Sequence, residues 1–155
     1  MHLRLIAVGT RMPEWVTAGV EDYLRRLPRE LKAAFIEVPL AARSAHQPVA
    51  KLKAEEGAKI LKVAAGARLI ALDEHGRQST TLQWAQALRG WMRDGRDVAF
   101  AIGGPDGHDA ALLSAAEDRW ALSRLTLPHA LVRVVLAEQL YRAWTVTANH
   151  PYHRA

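Results

Sequence analysis

The sequence predicts an α/β fold built around a mostly parallel β-sheet. Apolar runs of strand length alternate with amphipathic segments of helix length, an order typical of strands joined by crossover helices. The chain has 155 residues, of which 50% are hydrophobic and 24% are charged, so it can bury a core and has a globular composition. Because the sequence contains no repeat, low-complexity tract or linker, we expect one domain over residues 1–155.

Short apolar runs predict the strands. In chain order these strands are Leu3–Val8, Ala34–Val38, Arg68–Leu72, Asp97–Ile102 and a short Trp120–Leu122. Apolar residues at helical spacing predict the helices between and after them, the first bounded by Pro28 and the second by Gly66. These helices are Glu14–Leu27, Val49–Ala65, Leu82–Arg93, Ala110–Glu117 and Leu131–Thr147. Between the second strand and the second helix, Leu40–Pro48 is expected to be a mobile loop.

Several classes of function are excluded by what the sequence lacks. Cysteine is absent, which excludes disulfides, thiolate metal sites and a Cys nucleophile. The glycine patterns of dinucleotide and P-loop sites and the G-x-S-x-G of hydrolases are also missing. His150 and His153 are separated by a proline and have no acidic neighbour, so we expect no metal site. No apolar stretch is long enough to span a bilayer, so we expect a soluble, cytoplasmic protein.

Positive charge is concentrated in the last quarter of the chain. The protein carries a formal charge of +5, and the segment from Arg119 onward has five arginines and a single acid, Glu138. Clustered arginine suits a phosphate-containing partner, although solubility alone would also explain a modest excess of charge.

Three strand ends carry residues that suit a binding site. They are Leu72–Asp73, the run Gly103–Gly107, and Leu122–Pro128. Ligands of open parallel sheets bind beyond the carboxyl ends of the strands. Paired glycines let a ligand approach the backbone, but the same sequence is also rich in turn residues. We therefore predict a site or a tight turn at Gly103–Gly107.

The last predicted helix has an arginine, Arg133, near the centre of a broad apolar arc. A buried charge needs a partner. Arg133 could reach water, form an interface ion pair or hold a substrate phosphate, and we favour the first two over the third. The arc is wider than one sheet face needs, which suggests packing against a second subunit. Beyond this helix, Tyr152 lies in a polar tail and is expected to be exposed.

Three segments give the chain a specific resemblance: AVGTRMPEW near the start, IGGPDG in the middle, and LSRLTLPHALVRVVLAEQLYRAW followed by NHPYHR at the end. With these motifs the sequence resembles, over its whole length, the bacterial ribosomal RNA large-subunit methyltransferase H family of the SPOUT class. The resemblance implies a SPOUT-type α/β-knot fold with a C-terminal trefoil knot, and a homodimer. It also implies methylation of N3 of a pseudouridine in a 23S rRNA stem-loop of the assembled ribosome, with S-adenosylmethionine as methyl donor.

The resemblance assigns cofactor contacts to the three strand ends chosen above. The residues concerned are Leu72, Gly103, Gly104, Leu122, Ser123, Arg124, Leu125, Thr126 and Leu127. Arg124 could touch the cofactor or contribute only its backbone. We expect the C-terminal tail to reach the cofactor of the partner subunit.

Methyl transfer to a ring nitrogen is a direct displacement, so alignment supplies most of the acceleration. The imide nitrogen must also lose its proton to a base. Candidate bases are His129, Glu138, Tyr152 and His153, which the sequence does not rank. His129 could instead only cap the helix start. Arg142 and Arg154 are candidates for RNA or active-site anion contacts, or for ordinary surface charge.

Two other functions fit the same sequence. One is a SPOUT enzyme that methylates another target, such as a ribose hydroxyl or a tRNA base. The other is a ribosome-assembly factor without catalysis, which would bind RNA through the basic tail.

Overall fold

The computed structural model describes residues 1–44 and 46–154. Five strands form one sheet in the order β2-β1-β4-β3-β5, and every strand pairing in it is parallel. The strands are β1 (His2–Val8), β2 (Lys32–Val38), β3 (Arg68–Gln78), β4 (Val98–Ile102) and β5 (Asp118–Ala121). The predicted α/β class and parallel sheet are confirmed.

Helices cover both faces of the sheet. They are α1 (Glu14–Arg25), α2 (Val49–Val63), α3 (Thr81–Asp94), α4 (Ala110–Ala115) and α5 (His129–Thr147), followed by a 3₁₀ helix (Pro151–Arg154). Helices α1, α3 and α5 pack on one face over a core that includes Phe100, Trp84 and Leu136. Helices α2 and α4 cover the other face over Ile6, Ile60 and Leu112. Alternate residues of the buried strands therefore point into two separate cores.

The longest strand differs most from the prediction, because β3 continues beyond Leu72 to Gln78. Both Leu72 and Arg77 lie opposite Trp120, so the four residues between them leave the ladder. Gly76 makes this irregularity possible, because a Cβ there would come within 2.8 Å of the backbone of Arg119 and Trp120. The bulge places acidic side chains at the end of the sheet, beyond the point where the predicted strand ended.

Smaller differences concern the ends of other elements. β5 runs over Asp118–Ala121 and not over the predicted Trp120–Leu122. α5 begins at His129, two residues before the predicted start, because Pro128 serves as its N-cap and the helix starts directly after it. Between β2 and α2 the described residues form no helix or strand, as predicted.

Candidate active site

A cleft of about 570 Å³ opens at the carboxyl ends of β3, β4 and β5. The start of α5 closes its far side. Eight of the nine residues predicted to contact a cofactor line this cleft. They are Leu72, Gly103, Gly104, Leu122, Ser123, Leu125, Thr126 and Leu127. The ninth, Arg124, is exposed and does not belong to the lining. Three segments that are distant in sequence therefore meet as predicted, because parallel strands bring their carboxyl ends to one edge.

One wall of the cleft is a β-turn over Gly104–Gly107. The Gly107 N–H donates to the carbonyl of Gly104 at 3.0 Å, and Pro105 occupies the second position of the turn. Gly107 has a φ of +80°, which favours glycine. A Cβ on Gly103 would lie 3.0 Å from the carbonyl carbon of Gly107, so it would press on the turn. The glycine run thus serves both as a tight turn and as part of the cleft.

The opposite wall follows β5. The Ser123 hydroxyl accepts a hydrogen bond from the backbone N–H of Leu125 at 2.9 Å, which curls this segment over the cleft. Leu125 is 73% exposed although it lines the cleft, so it presents a large apolar side chain to solvent.

The first turn of α5 contributes His129 and Val132 to the cleft. No side-chain hydrogen bond caps this helix, so His129 is not a capping residue. No side-chain hydrogen bond joins its imidazole to another part of the described chain. His129 is the one predicted catalytic residue that lies in the cleft of its own chain.

Arg133 holds this end of α5 against the sheet. Its side chain is 1% exposed and forms an ion pair with Glu37 at 2.6 Å, while Nη2 donates to the carbonyls of Val8 and Gly9. The expectation that Arg133 reaches water is wrong, because its side chain is buried and its two Nη atoms bind the partly exposed Glu37 carboxylate and two backbone carbonyls, while Nε has no partner among the described residues. An ion pair does form, but within the chain. This anchor fixes the position of His129, one helical turn earlier.

The remaining predicted catalytic residues lie further along α5 and in the 3₁₀ helix that follows it, and we call them the tail cluster (Glu138, Arg142, Tyr152, His153 and Arg154). Arg142 binds Glu138 at 2.7 Å, and the Tyr152 hydroxyl donates to the same carboxylate at 3.1 Å. The guanidinium of Arg142 also lies 4.9 Å from the centre of the Tyr152 ring. Arg142 is therefore paired and not an isolated surface charge.

The tail folds back on its own chain. The ring of Tyr152 packs 4.7 Å from that of Tyr141, so the expected exposure of Tyr152 is wrong. Burial and the hydrogen bond to Glu138 raise its pKa above the ordinary value of a phenol. His153 is half-buried, with its Nδ1 inaccessible to solvent and without a partner among the described residues, and Arg154 is exposed. Glu138 follows His129 by nine residues, or about 13 Å of helix, so one chain does not unite the two groups.

Sequence reasoning placed Asp73 at a strand end without giving it a role, and it missed two further polar residues of the cleft, Glu74 and His108. Asp73 and Glu74 project from the bulge in β3. The Nε2 of His108 lies 3.1 Å from the carbonyl oxygen of Ala101, and burial lowers the pKa of His108 below its ordinary value of 6.5. The signal for His108 was available, since it follows the glycine run directly.

The geometry agrees with comparisons to known proteins. A family model described as "Predicted SPOUT methyltransferase" matches residues 1–153. The chain belongs to this SPOUT family. Three proteins named ribosomal RNA large subunit methyltransferase H are similar to it. Those of Hydrogenovibrio crunogenus and Chromohalobacter salexigens are 51% and 52% identical, each over 99% of this chain and over 99% and 100% of their own lengths. That of Burkholderia lata is 51% identical over 100% of both chains.

Two solved structures share the fold of this chain. A methylase-family protein of Neisseria gonorrhoeae gives a TM-score of 0.55 at 13% identity, covering 90% of this chain and 81% of its own. A protein of Bordetella pertussis described as a methyltransferase gives 0.58 at 16% identity, covering 91% and 95%. Within residues 1–44 and 46–154, no group of His, Asp and Glu side chains is arranged to hold a metal ion. The helices of that part of the chain are too short or too polar to cross a membrane.

Proposed function

We propose that this protein methylates N3 of a pseudouridine in a 23S rRNA stem-loop of the assembled ribosome, in the cytoplasm, with S-adenosylmethionine as donor. The observation that carries the proposal is the 51–52% identity, over nearly the whole chain, to proteins named ribosomal RNA large subunit methyltransferase H. The nucleoside, the ribosomal substrate and the donor come from the sequence resemblance described above.

The size and charge of the cleft support S-adenosylmethionine as its ligand. Its volume lies within the usual range of small-molecule sites. Carboxylates of Asp73 and Glu74 line it, and they complement a ligand that carries a positive sulfonium and an ammonium group. The backbone at Gly103 and Gly104 lies in the wall without side chains in front of it. When bound, the cofactor would supply an electrophilic methyl group.

We assign the proton-accepting role to His129. Glu138 is a poor base because it already accepts bonds from Arg142, Tyr152 and Gln139. Tyr152 acts as a hydrogen-bond donor, and its raised pKa keeps the phenol protonated at neutral pH. His129 lines the cleft and has no competing side-chain partner in the described chain. Its imidazole can therefore accept the N3 proton while the cleft aligns the acceptor nitrogen.

The tail cluster acts, in this proposal, at the cleft of a second subunit. Within one chain it lies about 13 Å of helix away from His129, so a complete set of predicted groups requires a homodimer. The cation of Arg142 and the imidazole of His153 would then stabilise the anionic base opposite His129. Exposed Arg124 and Arg154 would contact RNA phosphates. A C-terminal trefoil knot belongs to the same proposal.

The decisive experiment is methyl transfer from labelled S-adenosylmethionine to ribosomes that lack the modification, with nuclease mapping of the labelled nucleoside. Fully modified ribosomes are the matched control and should remain unlabelled. We expect label on N3-methylpseudouridine. Label on another nucleoside would show that the protein is a methyltransferase with a different substrate. The absence of both labelling and cofactor binding would contradict the proposal and favour an assembly factor.

The role of the tail is tested by truncation after Asn149, which removes His150 to Ala155. We expect cofactor affinity to stay within about twofold of that of the full chain. Methyl transfer should fall by at least about a hundredfold, because the truncation removes together the tail groups proposed to act in catalysis. Calorimetry measures the affinity and the labelling assay measures the transfer. Retained transfer activity would exclude a catalytic role for the tail.

A further inference from the structure

A buried carboxylate lies directly behind the glycine turn of the cleft. Glu56 on α2 is 2% exposed, and its Oε2 accepts hydrogen bonds from the Ala41 N–H at 3.0 Å and from Arg43 Nη1 at 2.8 Å. A buried carboxylate is costly without such partners. Arg43 is therefore required to compensate the charge of Glu56.

The same arginine reaches the cleft wall. Nη2 of Arg43 binds the Asp106 carboxylate at 2.7 Å, and Asp106 occupies the third position of the turn Gly104–Gly107. We call the three residues Glu56, Arg43 and Asp106 the Arg43 bridge. It connects α2 to the turn through one planar guanidinium, a geometry that a lysine ammonium does not reproduce.

The turn also rests on the bridge from behind. A Cβ on Gly104 would lie 3.1 Å from a methyl group of Val8, 3.4 Å from Leu40 and 3.5 Å from the second oxygen of Glu56. That oxygen, Oε1, is buried and has no partner among the described residues. The backbone of the turn is thus packed against Glu56 on one side and tied through Asp106 on the other.

We propose that Arg43 is a positioning residue of the cleft: by joining Glu56 to Asp106 it holds the Gly104–Gly107 turn in the conformation that binds the cofactor. The inference rests on the proposed function, since it takes S-adenosylmethionine as the ligand. Arg43 itself does not line the cleft, so it acts through Asp106. An alternative role is purely structural, namely compensation of the Glu56 charge.

Two variants separate these roles. Arg43→Gln leaves the Glu56 carboxylate without its cation, so it should lower the melting temperature as well as the affinity. The double variant Arg43→Gln with Glu56→Gln removes the buried charge too. We expect it to regain most of the melting temperature, yet still to bind S-adenosylmethionine at least about tenfold more weakly than the unmodified protein. A merely structural arginine would let stability and affinity recover together.

The kinetic signature follows from the same geometry. In the Arg43→Gln, Glu56→Gln protein, KM for the cofactor should rise about tenfold while kcat stays within about twofold, because saturation restores the ordered turn. Asp106→Asn should weaken binding, and adding it to Arg43→Gln should cost no more than the larger single effect. Arg43→Lys should rescue affinity only in part. Arg96→Gln, which breaks an ion pair at the opposite end of the sheet, is the control and should leave affinity unchanged.

A second readout does not need the cofactor. The Gly107 N–H is hydrogen-bonded within the turn, so its hydrogen exchange reports how well the turn is held. We expect exchange at least about tenfold faster in the Arg43→Gln, Glu56→Gln protein. The inference would be overturned if Gly107 exchange in this variant equalled that of the wild type. It would also be overturned if the wild type bound the cofactor and the variant bound it with the same affinity. If the wild type binds no S-adenosylmethionine, the proposed function fails and Gly107 exchange alone decides on the bridge.

Discussion

The two ends of the sheet are built from the same strands and carry opposite kinds of polar chemistry. At the amino end the charges satisfy one another. Arg4 donates to Asp97 and to the carbonyls of Val63 and Ala65, and Arg96 binds Glu117. The N–H of His2 and the guanidinium of Arg4 lower the pKa of Asp97, which marks a carboxylate stabilised in its charged form.

At the carboxyl end two carboxylates of the cleft are left available. No arginine in the described chain pairs with Asp73 or Glu74, and the Leu125 side chain is largely exposed. Glycines, a bulge and a helix start line the cleft, and the ion pairs of this end, Arg43 with Asp106 and Arg133 with Glu37, hold its walls in place. The contrast indicates that the amino end stabilises the fold while the carboxyl end is free to bind. Perturbing each end should therefore affect different measurements.

The largest effect is expected at the carboxyl end, from Gly103→Val. The added Cβ would meet the Gly107 backbone at 3.0 Å and force the turn out of the cleft wall, so cofactor binding should become undetectable by calorimetry. The control is Gly90→Val on α3, where a Cβ meets nothing within 4 Å. Normal binding by Gly103→Val would remove the turn from the site.

An intermediate effect is expected at the amino end, from Arg4→Met. The variant loses three hydrogen bonds of a charged group, two of them to backbone carbonyls, so we expect the free energy of unfolding to fall by about 2 kcal/mol. Denaturant titration measures this change. Arg25→Met, which breaks an exposed pair, should cost less than about 0.5 kcal/mol. Cofactor affinity should not change, and a weakened affinity would show that the two ends are not independent.

Most of the architecture was predictable because it depends on local patterns. Apolar runs located the five strands, and the rule that parallel strands end at one edge brought Leu72, Gly103 and Leu122 together in advance. What escaped prediction depends on partners far along the chain. Arg133 pairs with Glu37, 96 residues earlier, and nothing near Arg133 in the sequence indicates that carboxylate. The bulge in β3 similarly requires Gly76 to meet the backbone of Arg119 and Trp120.

The candidate catalytic residues show the same limit. His129 lines the cleft, and local signals, a strand end and a proline, pointed to its position, while its catalytic role stays a prediction. Glu138 and Tyr152 were chosen as candidate bases and Arg142 as an anion contact, without any prediction that they would meet. Their mutual hydrogen bonds and their distance from the cleft depend on how the tail folds back over α5. Their action at a second subunit stays a prediction.

The smallest effect concerns His108, a residue of the cleft wall that carries a titratable imidazole. Burial lowers its pKa in the folded protein, so below pH 6.5 the unfolded chain binds more protons than the folded one. The contribution of His108 to stability should therefore be fully present above pH 6.5 and decline as the pH falls below it, with a slope of at most about 1.4 kcal/mol per pH unit from this one group.

His108→Leu should flatten that part of the profile, measured by denaturant titration between pH 5 and pH 8, roughly the range in which histidines titrate. His75→Leu, which removes an imidazole that is 84% exposed, is the matched control and should keep the wild-type slope. An unchanged slope in His108→Leu would mean that the acid sensitivity originates elsewhere. Because Asp73 and Asp109 favour the protonated ring while burial opposes it, a measured decline would show that burial of the imidazole outweighs the attraction of these two carboxylates.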